Sequence, residues 1–223
     1  GLMQRLLMRG IGHREFKFSR ELGHEIPKEW KVVRLSSLGE ISTGKTPPTF
    51  NNKFWNGEIP FITPGDIQET KYIYKTERKV TSEGAEYAGR ILPKDAVLVV
   101  CIGSTIGKTA MTYVESITNQ QINSIICKKE TDPHYVYYAT SFRVEVLKLH
   151  SGVAAVPIIK KSLFAQFKIP LPPLPEQRRI AEILSTVDEA IQRVDEAIHR
   201  TERLKQGLMQ RLSLIHISEP TRL

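Results

Sequence analysis

The sequence predicts an α+β protein: a mostly-β globular domain with a few helices, followed by one long coiled-coil helix. Three observations predict it. Apolar residues towards the C-terminal end recur every seven positions. The middle of the chain holds short β-branched runs punctuated by glycine. Between these regions, one segment opens with an Asp-Pro helix start. The composition agrees: 223 residues, 40% hydrophobic and 25% charged, describe a globular chain long enough to bury a core.

Taken in order, Gly1-Leu2-Met3-Gln4-Arg5-Leu6 reappears as Gly207-Leu208-Met209-Gln210-Arg211-Leu212. Residues 1–9 are therefore expected to be the tail of an earlier copy of the long helix. The chain then reads as one unit, natural or cut, of a parent that alternates domain and helix. Residues 10–27 are mixed and polar and are expected to form a linker. Residues 28–172 form the globular domain. Its expected strands are Val32–Leu35, Ile59–Thr63, Ala96–Cys101, Lys108–Val114 and Ile122–Cys127, which are short, β-branched and bounded by turn residues. Asp132 to Leu149 reads as a helix with an Asp cap and a first-turn proline.

Residues 173–212 carry the long helix, with helix formers from Glu176 to Leu212 after the Pro170–Pro175 cluster. Ile180, Leu184, Val187, Ile191, Val194, Ile198, Leu208 and Leu212 form a heptad seam that Thr201 and Lys205 interrupt. A second apolar column runs through Ile183, Ala190, Ala197 and Leu204. A helix of this length spans about 55 Å, whereas its domain is only about 30 Å across. The helix is thus expected to outrun the domain and pair with another helix. Residues 213–223 abandon the heptad and are expected to be a non-native tail.

Charge is unevenly spread. The whole chain carries a formal +8, with 32 basic and 24 acidic side chains; the long-helix segment is balanced at seven of each. A basic head on a neutral rod points to a polyanion partner, although an ordinary solvated surface has a similar charge density. Two cysteines, Cys101 and Cys127, lie in apolar runs and read as buried reduced thiols of a cytoplasmic protein. No apolar run approaches the roughly 20 residues of a membrane span, no signal-peptide pattern opens the chain, and no membrane partner is expected. The six histidines show no ligand spacing, so no metal is expected.

Gly39 to Thr46 matches the phosphate-loop pattern G-x-x-x-x-G-K-T, which offers a nucleotide hydrolase using Lys45 and Thr46 as an alternative. Its context disagrees, because Pro47-Pro48 follow where a helix should open. Gly103 to Thr109 is one residue short of the same pattern. Both are read as polar β-turns. No nucleophile, paired carboxylate or methyl-transfer motif is found, so the chain is expected to perform no bond chemistry. What remains is hydrogen-bonding capacity in turns: Lys45, Thr46, Asn51, Asn52, Lys53, Thr63, Ser104, Thr105, Lys108, Thr109, Asn119, Gln120, Gln121, Lys160 and Lys161. Lys reaches phosphates and guanine edges, Asn and Gln pair with adenine, and Thr touches a thymine methyl. Each cluster alone also reads as turn chemistry, and Asn119–Gln121 as a satisfied network that fixes a loop. On the DNA reading, Gln121 is expected to set sequence preference and Lys160 to grip any sequence. A coiled-coil scaffold without DNA binding is the third reading.

The ordered series Ile26-Pro-Lys-Glu-Trp30, Gly44-Lys-Thr-Pro47, Trp55-Asn-Gly-Glu-Ile-Pro-Phe-Ile-Thr-Pro-Gly-Asp66, Gly103-Ser-Thr-Ile-Gly107, Thr118-Asn-Gln-Gln121 and Ile169 to Gln177 resembles the specificity subunit of type I restriction–modification systems. The likeness spans about 26–212. It implies a target-recognition domain that reads one half of a split double-stranded DNA target in the major groove. It also implies a long helix that acts as a ruler and docks methylase (modification) subunits. By the same resemblance, S-adenosylmethionine belongs to the methylase and ATP to a restriction/translocase subunit, with no cofactor in this chain. The family's subunits have two such domains and two antiparallel helices; this chain has one domain, one helix and a stub. Two chains are therefore expected to form a homodimer through their helices, with a bipartite palindrome as target.

Overall fold

A computed structural model describes residues 1–68, 70–149 and 157–217, the side chains of 211–217 excepted. The chain divides into a globular unit, Gly1–Ala181, and a helical unit, Glu182–Leu223. The architecture is α+β, with four sheets among the described residues of the globular unit and a long C-terminal helix.

Helix α1 (Leu2–Arg9) buries Leu6 and Leu7. Residues 10–27, expected as a linker, instead hold a hairpin of β1 (Phe16–Ser19) and β2 (His24–Pro27). Phe16-Lys-Phe-Ser19 alternates apolar and polar, but the run is only four residues long and Phe18 is exposed, so the polar composition around it concealed the signal. Strand β3 (Lys31–Arg34) pairs with β12 (Lys168–Leu171), and α2 (Leu35–Leu38) leads into β4 (Gly39–Thr43).

The central sheet has the order β4-β11-β8-β9-β6. It comprises β4, β6 (Tyr72–Ile73), β8 (Val97–Val100), β9 (Thr109–Thr112) and β11 (Ile122–Cys127). All four residues of β8 are buried, as its unbroken aliphatic Val-Leu-Val-Val run requires of a strand covered on both faces. One face packs Ile62, Ile67, Leu92, Leu98, Val100 and Ile122 into a core. A second sheet, β10-β5-β7, joins β5 (Trp55–Ile62), β7 (Arg78–Val80) and β10 (Ile117–Thr118) around Trp55, Phe61, Val80, Ala85 and Ile117. Helix α3 (Ser82–Ala88) is capped by the Thr81 hydroxyl, which accepts from the Gly84 N–H.

Helix α4 (Pro133–Lys148) forms where the Asp-Pro start predicts it, with the Asp132 carboxylate accepting from the Tyr135 N–H at 2.9 Å. Short helix α5 (Lys161–Gln166) precedes β12. Helix α6 (Leu174–Ile217) is continuous for 44 residues, about 66 Å at 1.5 Å per residue. It begins two residues before the expected start and runs five past Leu212 into the segment expected to be a non-native tail; residues 218–223 lie outside the described residues.

The start of α6 is fastened inside the globular unit by Glu176. Its carboxylate accepts from the Trp30 indole N–H at 2.9 Å and the Ile11 backbone N–H at 3.0 Å, and its other contact is the His13 ring at 2.8 Å. Gly10 turns the chain there at φ 65°, and a Cβ on it would press within 2.7 Å of the His13 and Trp30 rings.

In the helical unit, Val187, Ile191, Val194, Ile198 and Leu208 are exposed, as are Leu204 and Met209. Glu189–Arg193 and Glu196–Arg200 pair at i,i+4, the acid placed on the favourable N-terminal side. Ile180 is buried in the globular unit and Leu184 is also buried, so the exposed apolar run starts at Val187 rather than Ile180. The Leu212 side chain lies outside the described residues.

Candidate nucleic-acid interface

The register of the central sheet gathers the polar turns. Strands β4 and β8 both run antiparallel to β11, with Thr43 opposite Asn123 and Val100 opposite Ile122. The ends of β4 and β8 therefore lie beside the start of β11. Strand β9 starts at the same edge, Thr109 facing Val99. In the second sheet, β5 and β10 are parallel and run out together at Ile62 and Thr118. Asn119–Gln121 then crosses from the end of β10 to the start of β11. Two sheets thus deliver Lys45, Thr46, Thr63, Ser104, Thr105, Lys108, Thr109, Asn119, Gln120 and Gln121 to one edge.

Hydrogen bonds fix this edge. The Lys45 N–H donates to Thr118 O at 3.0 Å, Asn119 N–H to Ile62 O at 3.0 Å, and Cys101 N–H to Gln121 O at 2.7 Å. A Cβ on Gly44 would collide with the carbonyl oxygens of Thr118 and Asn119, so only glycine admits this approach. Gly103 N–H donates to Pro157 O and Ile159 N–H to Cys101 O, which brings Lys160 alongside. Lys160 precedes α5 and Lys161 is its first residue; both are exposed. Burial pushes the Cys101 thiol up to about 12, so at neutral pH it is an inert protonated group beneath the edge.

Within the edge, the residues divide into those that hold the loops and those that face outward. Asn119 is 7% exposed; its amide donates to Gln121 Oε1 at 2.9 Å and its Oδ1 accepts from the Gln121 N–H at 3.0 Å. Gln121 Nε2 reaches Ile102 O at 3.4 Å. The side chain expected to read bases is therefore engaged in the protein. Gln120 is exposed, and its Oε1 accepts from the Thr46 hydroxyl at 2.6 Å. Thr63 is spent locally, its hydroxyl and N–H both donating to Asp66 Oδ2. Thr109 donates to Gly107 O, and Lys108 Nζ to Ile67 O at 2.9 Å.

Asn51, Asn52 and Lys53 sit at the other end of β5, where Asn51 caps a 3-10 turn over Asn52–Phe54. Lys45 links the two groups. Its ammonium lies 4.0 Å above the Tyr87 ring, which stacks on Phe54 at 5.1 Å. Sequence reading missed Phe50, Phe54 and Tyr87. The signal was present in Thr49-Phe-Asn-Asn-Lys-Phe54, where aromatics alternate with polar and basic residues. The phosphate-loop pattern is not a turn: Gly39–Thr43 is strand β4, and no helix opens after Lys45. Without that helix N-terminus the loop has no phosphate cradle. Gly103–Gly107 is the turn expected of it.

The family model for the type I restriction modification DNA specificity domain matches residues 27–200. The chain belongs to this family. Among curated members, it is 37% identical over 183 residues to the MjaIX specificity subunit of Methanocaldococcus jannaschii, covering 80% of this chain and 42% of that protein. It is 31% identical over 168 residues to the EcoR124I/EcoR124II specificity subunit of Escherichia coli, covering 72% and 41%. The chain thus spans less than half the length of these relatives. The specificity-domain fold is shared with the HsdS subunit of Thermoanaerobacter tengcongensis, at a TM-score of 0.64 and 18% identity over 94% of this chain and 48% of that one. A chain in a type I R-M system structure aligns at a TM-score of 0.66 and 21% identity, over 84% and 45%.

Proposed function

We propose that this chain is the non-catalytic DNA-reading component of a type I restriction–modification complex, and that its globular unit reads one half of a bipartite duplex target. The observation that carries this is the convergence of two sheets' strand ends on one edge, with Gln120, Thr46, Ser104, Thr105, Lys45 and Lys160 around it. Rigid strands hold the loops, so hydrogen-bonding groups meet a duplex with little ordering cost. Gln120 is the base-reading side chain, held by Thr46, while Asn119 and Gln121 position it. Lys160 and Lys161 grip phosphates.

The exposed run from Val187 to Met209 pairs with another long helix, in a homodimer or in a longer parent chain. Through it the unit docks methylase subunits and, with them, the restriction subunit. The methylase supplies S-adenosylmethionine and the restriction subunit uses ATP, in the cytoplasm. Among the described residues no helix is long and apolar enough to cross a membrane.

Methylation-site mapping in cells carrying this subunit with its methylase tests the reading. A bipartite methylated motif is expected, and it should change in Gln120→Ala. With purified complex, log affinity should fall linearly with log salt, by about 0.9 per phosphate contact. Lys160→Ala should weaken all sequences alike and lower that slope by about one contact. No duplex affinity at low salt would leave only the scaffold reading.

A further inference from the structure

We propose that Phe50 is an apolar wedge that enters the duplex at a base step and partly unstacks it. The inference rests on the DNA reading above. Phe50 is 89% exposed, more than any other aromatic side chain among the described residues. A lone exposed apolar residue is ordinary on a protein surface. What sets Phe50 apart is that it stands at the tip of a turn fixed from both flanks. Asn51 N–H donates to Pro48 O at 3.2 Å and closes the turn, while the Trp55 indole N–H grips the same carbonyl at 3.0 Å. Pro47 is buried on one side. On the other, Asn51 Oδ1 accepts from the Lys53 N–H, and the Thr81 hydroxyl donates to Lys53 O at 2.6 Å.

A slack loop would tuck a phenyl ring against the nearest apolar surface. This turn holds it in water, beside Asn52 and Lys53, which are exposed and can reach a phosphate backbone. Thr46, four residues before Phe50, holds the base-reading Gln120. In sequence the ring stands between Thr46, which contacts Gln120, and the exposed Asn52-Lys53 pair. Proteins that deform the minor groove insert apolar side chains such as Phe between base steps, and a rigid turn removes the ordering cost of such an insertion.

The test uses the full chain with its methylase and a duplex of about 30 base pairs carrying the mapped target. 2-Aminopurine replaces each adenine of one half-site in turn. Wild type should raise 2-aminopurine fluorescence at one step, and Phe50→Ala should abolish the rise and weaken binding about tenfold. Phe50→Trp should restore both. The thermal midpoint of Phe50→Ala should match wild type, since the ring packs on nothing. Equal affinity and fluorescence in wild type and Phe50→Ala would overturn the wedge alone. An affinity loss with no fluorescence change in wild type would overturn it too, as would lost methylase association with unchanged DNA affinity. A wild-type complex that binds no duplex would overturn the DNA reading and the wedge with it.

Discussion

Replacing Glu176 by Ala removes one acceptor from three donors at once. The Trp30 indole is fully buried, so its N–H is left with neither protein nor water, a penalty of about 1–3 kcal/mol. The Ile11 N–H and the His13 ring lie nearer solvent and recover water contacts, so together they add about 1 kcal/mol. The carboxylate also sits in the first turn of α6, where the helix dipole contributes about 0.5 kcal/mol. The total, about 2.5–4.5 kcal/mol, corresponds to a melting-point loss of about 10 °C for a chain of this size. Glu176→Gln keeps one acceptor and should lose about half as much. Urea titration of the two variants, and of Trp30→Phe alone and combined with Glu176→Ala, measures the coupling. It should reach about 1–2 kcal/mol. A Glu176→Ala chain within about 1 kcal/mol of wild type, or a double mutant that is merely additive, would refute the argument that this carboxylate fastens the start of α6 to Trp30 and the Ile11–His13 segment.

The remaining predictions concern the edge, the core and the long helix. Gly44→Ala forces a methyl into the Thr118 and Asn119 carbonyls; it should cost about 2–3 kcal/mol by thermal melting and weaken duplex binding, because the loops it separates carry Thr46 and Gln120. His134 is held below its ordinary value of 6.5, by burial first and Lys71 second, and its Nδ1 is buried with no hydrogen-bond partner among the described residues. A lowered folded-state value means the unfolded chain takes up the proton more readily, so the contribution is present above 6.5 and lost as pH falls below it. The urea midpoint should therefore drop between pH 7.5 and 5 more steeply in wild type than in His134→Phe; parallel profiles would contradict this. Ile191→Glu combined with Ile198→Glu places two charges in the exposed stripe and should abolish helix pairing in sedimentation velocity without changing the melting of the globular unit, since both side chains are about half exposed.

The sequence announced elements wherever one physical signal dominated. Helix α4 was legible from Asp132-Pro133, α6 from its seven-residue period, and β8 and β11 from short apolar runs rich in β-branched residues. Strand β4 was hidden because Gly-Glu-Ile-Ser-Thr has one apolar residue, and its pairing with β11 supplies what propensity does not. The β1–β2 hairpin was hidden because its alternating Phe16-Lys-Phe-Ser19 run is only four residues long within a polar stretch. At the interface, residue types were legible but roles were not. Gln121 and Gln120 are chemically identical, and only the structure shows that Gln121 is tied to Asn119 and Ile102 whereas Gln120 stays exposed beside Thr46. Phe50 and Tyr87 escaped notice because a search for donors and acceptors passes over aromatic rings.

The loops at this edge hang from strand ends and contribute little to the ladders that hold the frame. Lengthening such a loop is thermodynamically cheap, about 0.6 kcal/mol per doubling. Selection can therefore rewrite what the edge recognises, by substitution or insertion beyond Thr43, Val100 and Thr118, while the frame beneath stays the same. A lineage carrying this architecture can change its target at nearly constant stability, and the glycine at position 44 marks where such drift must stop.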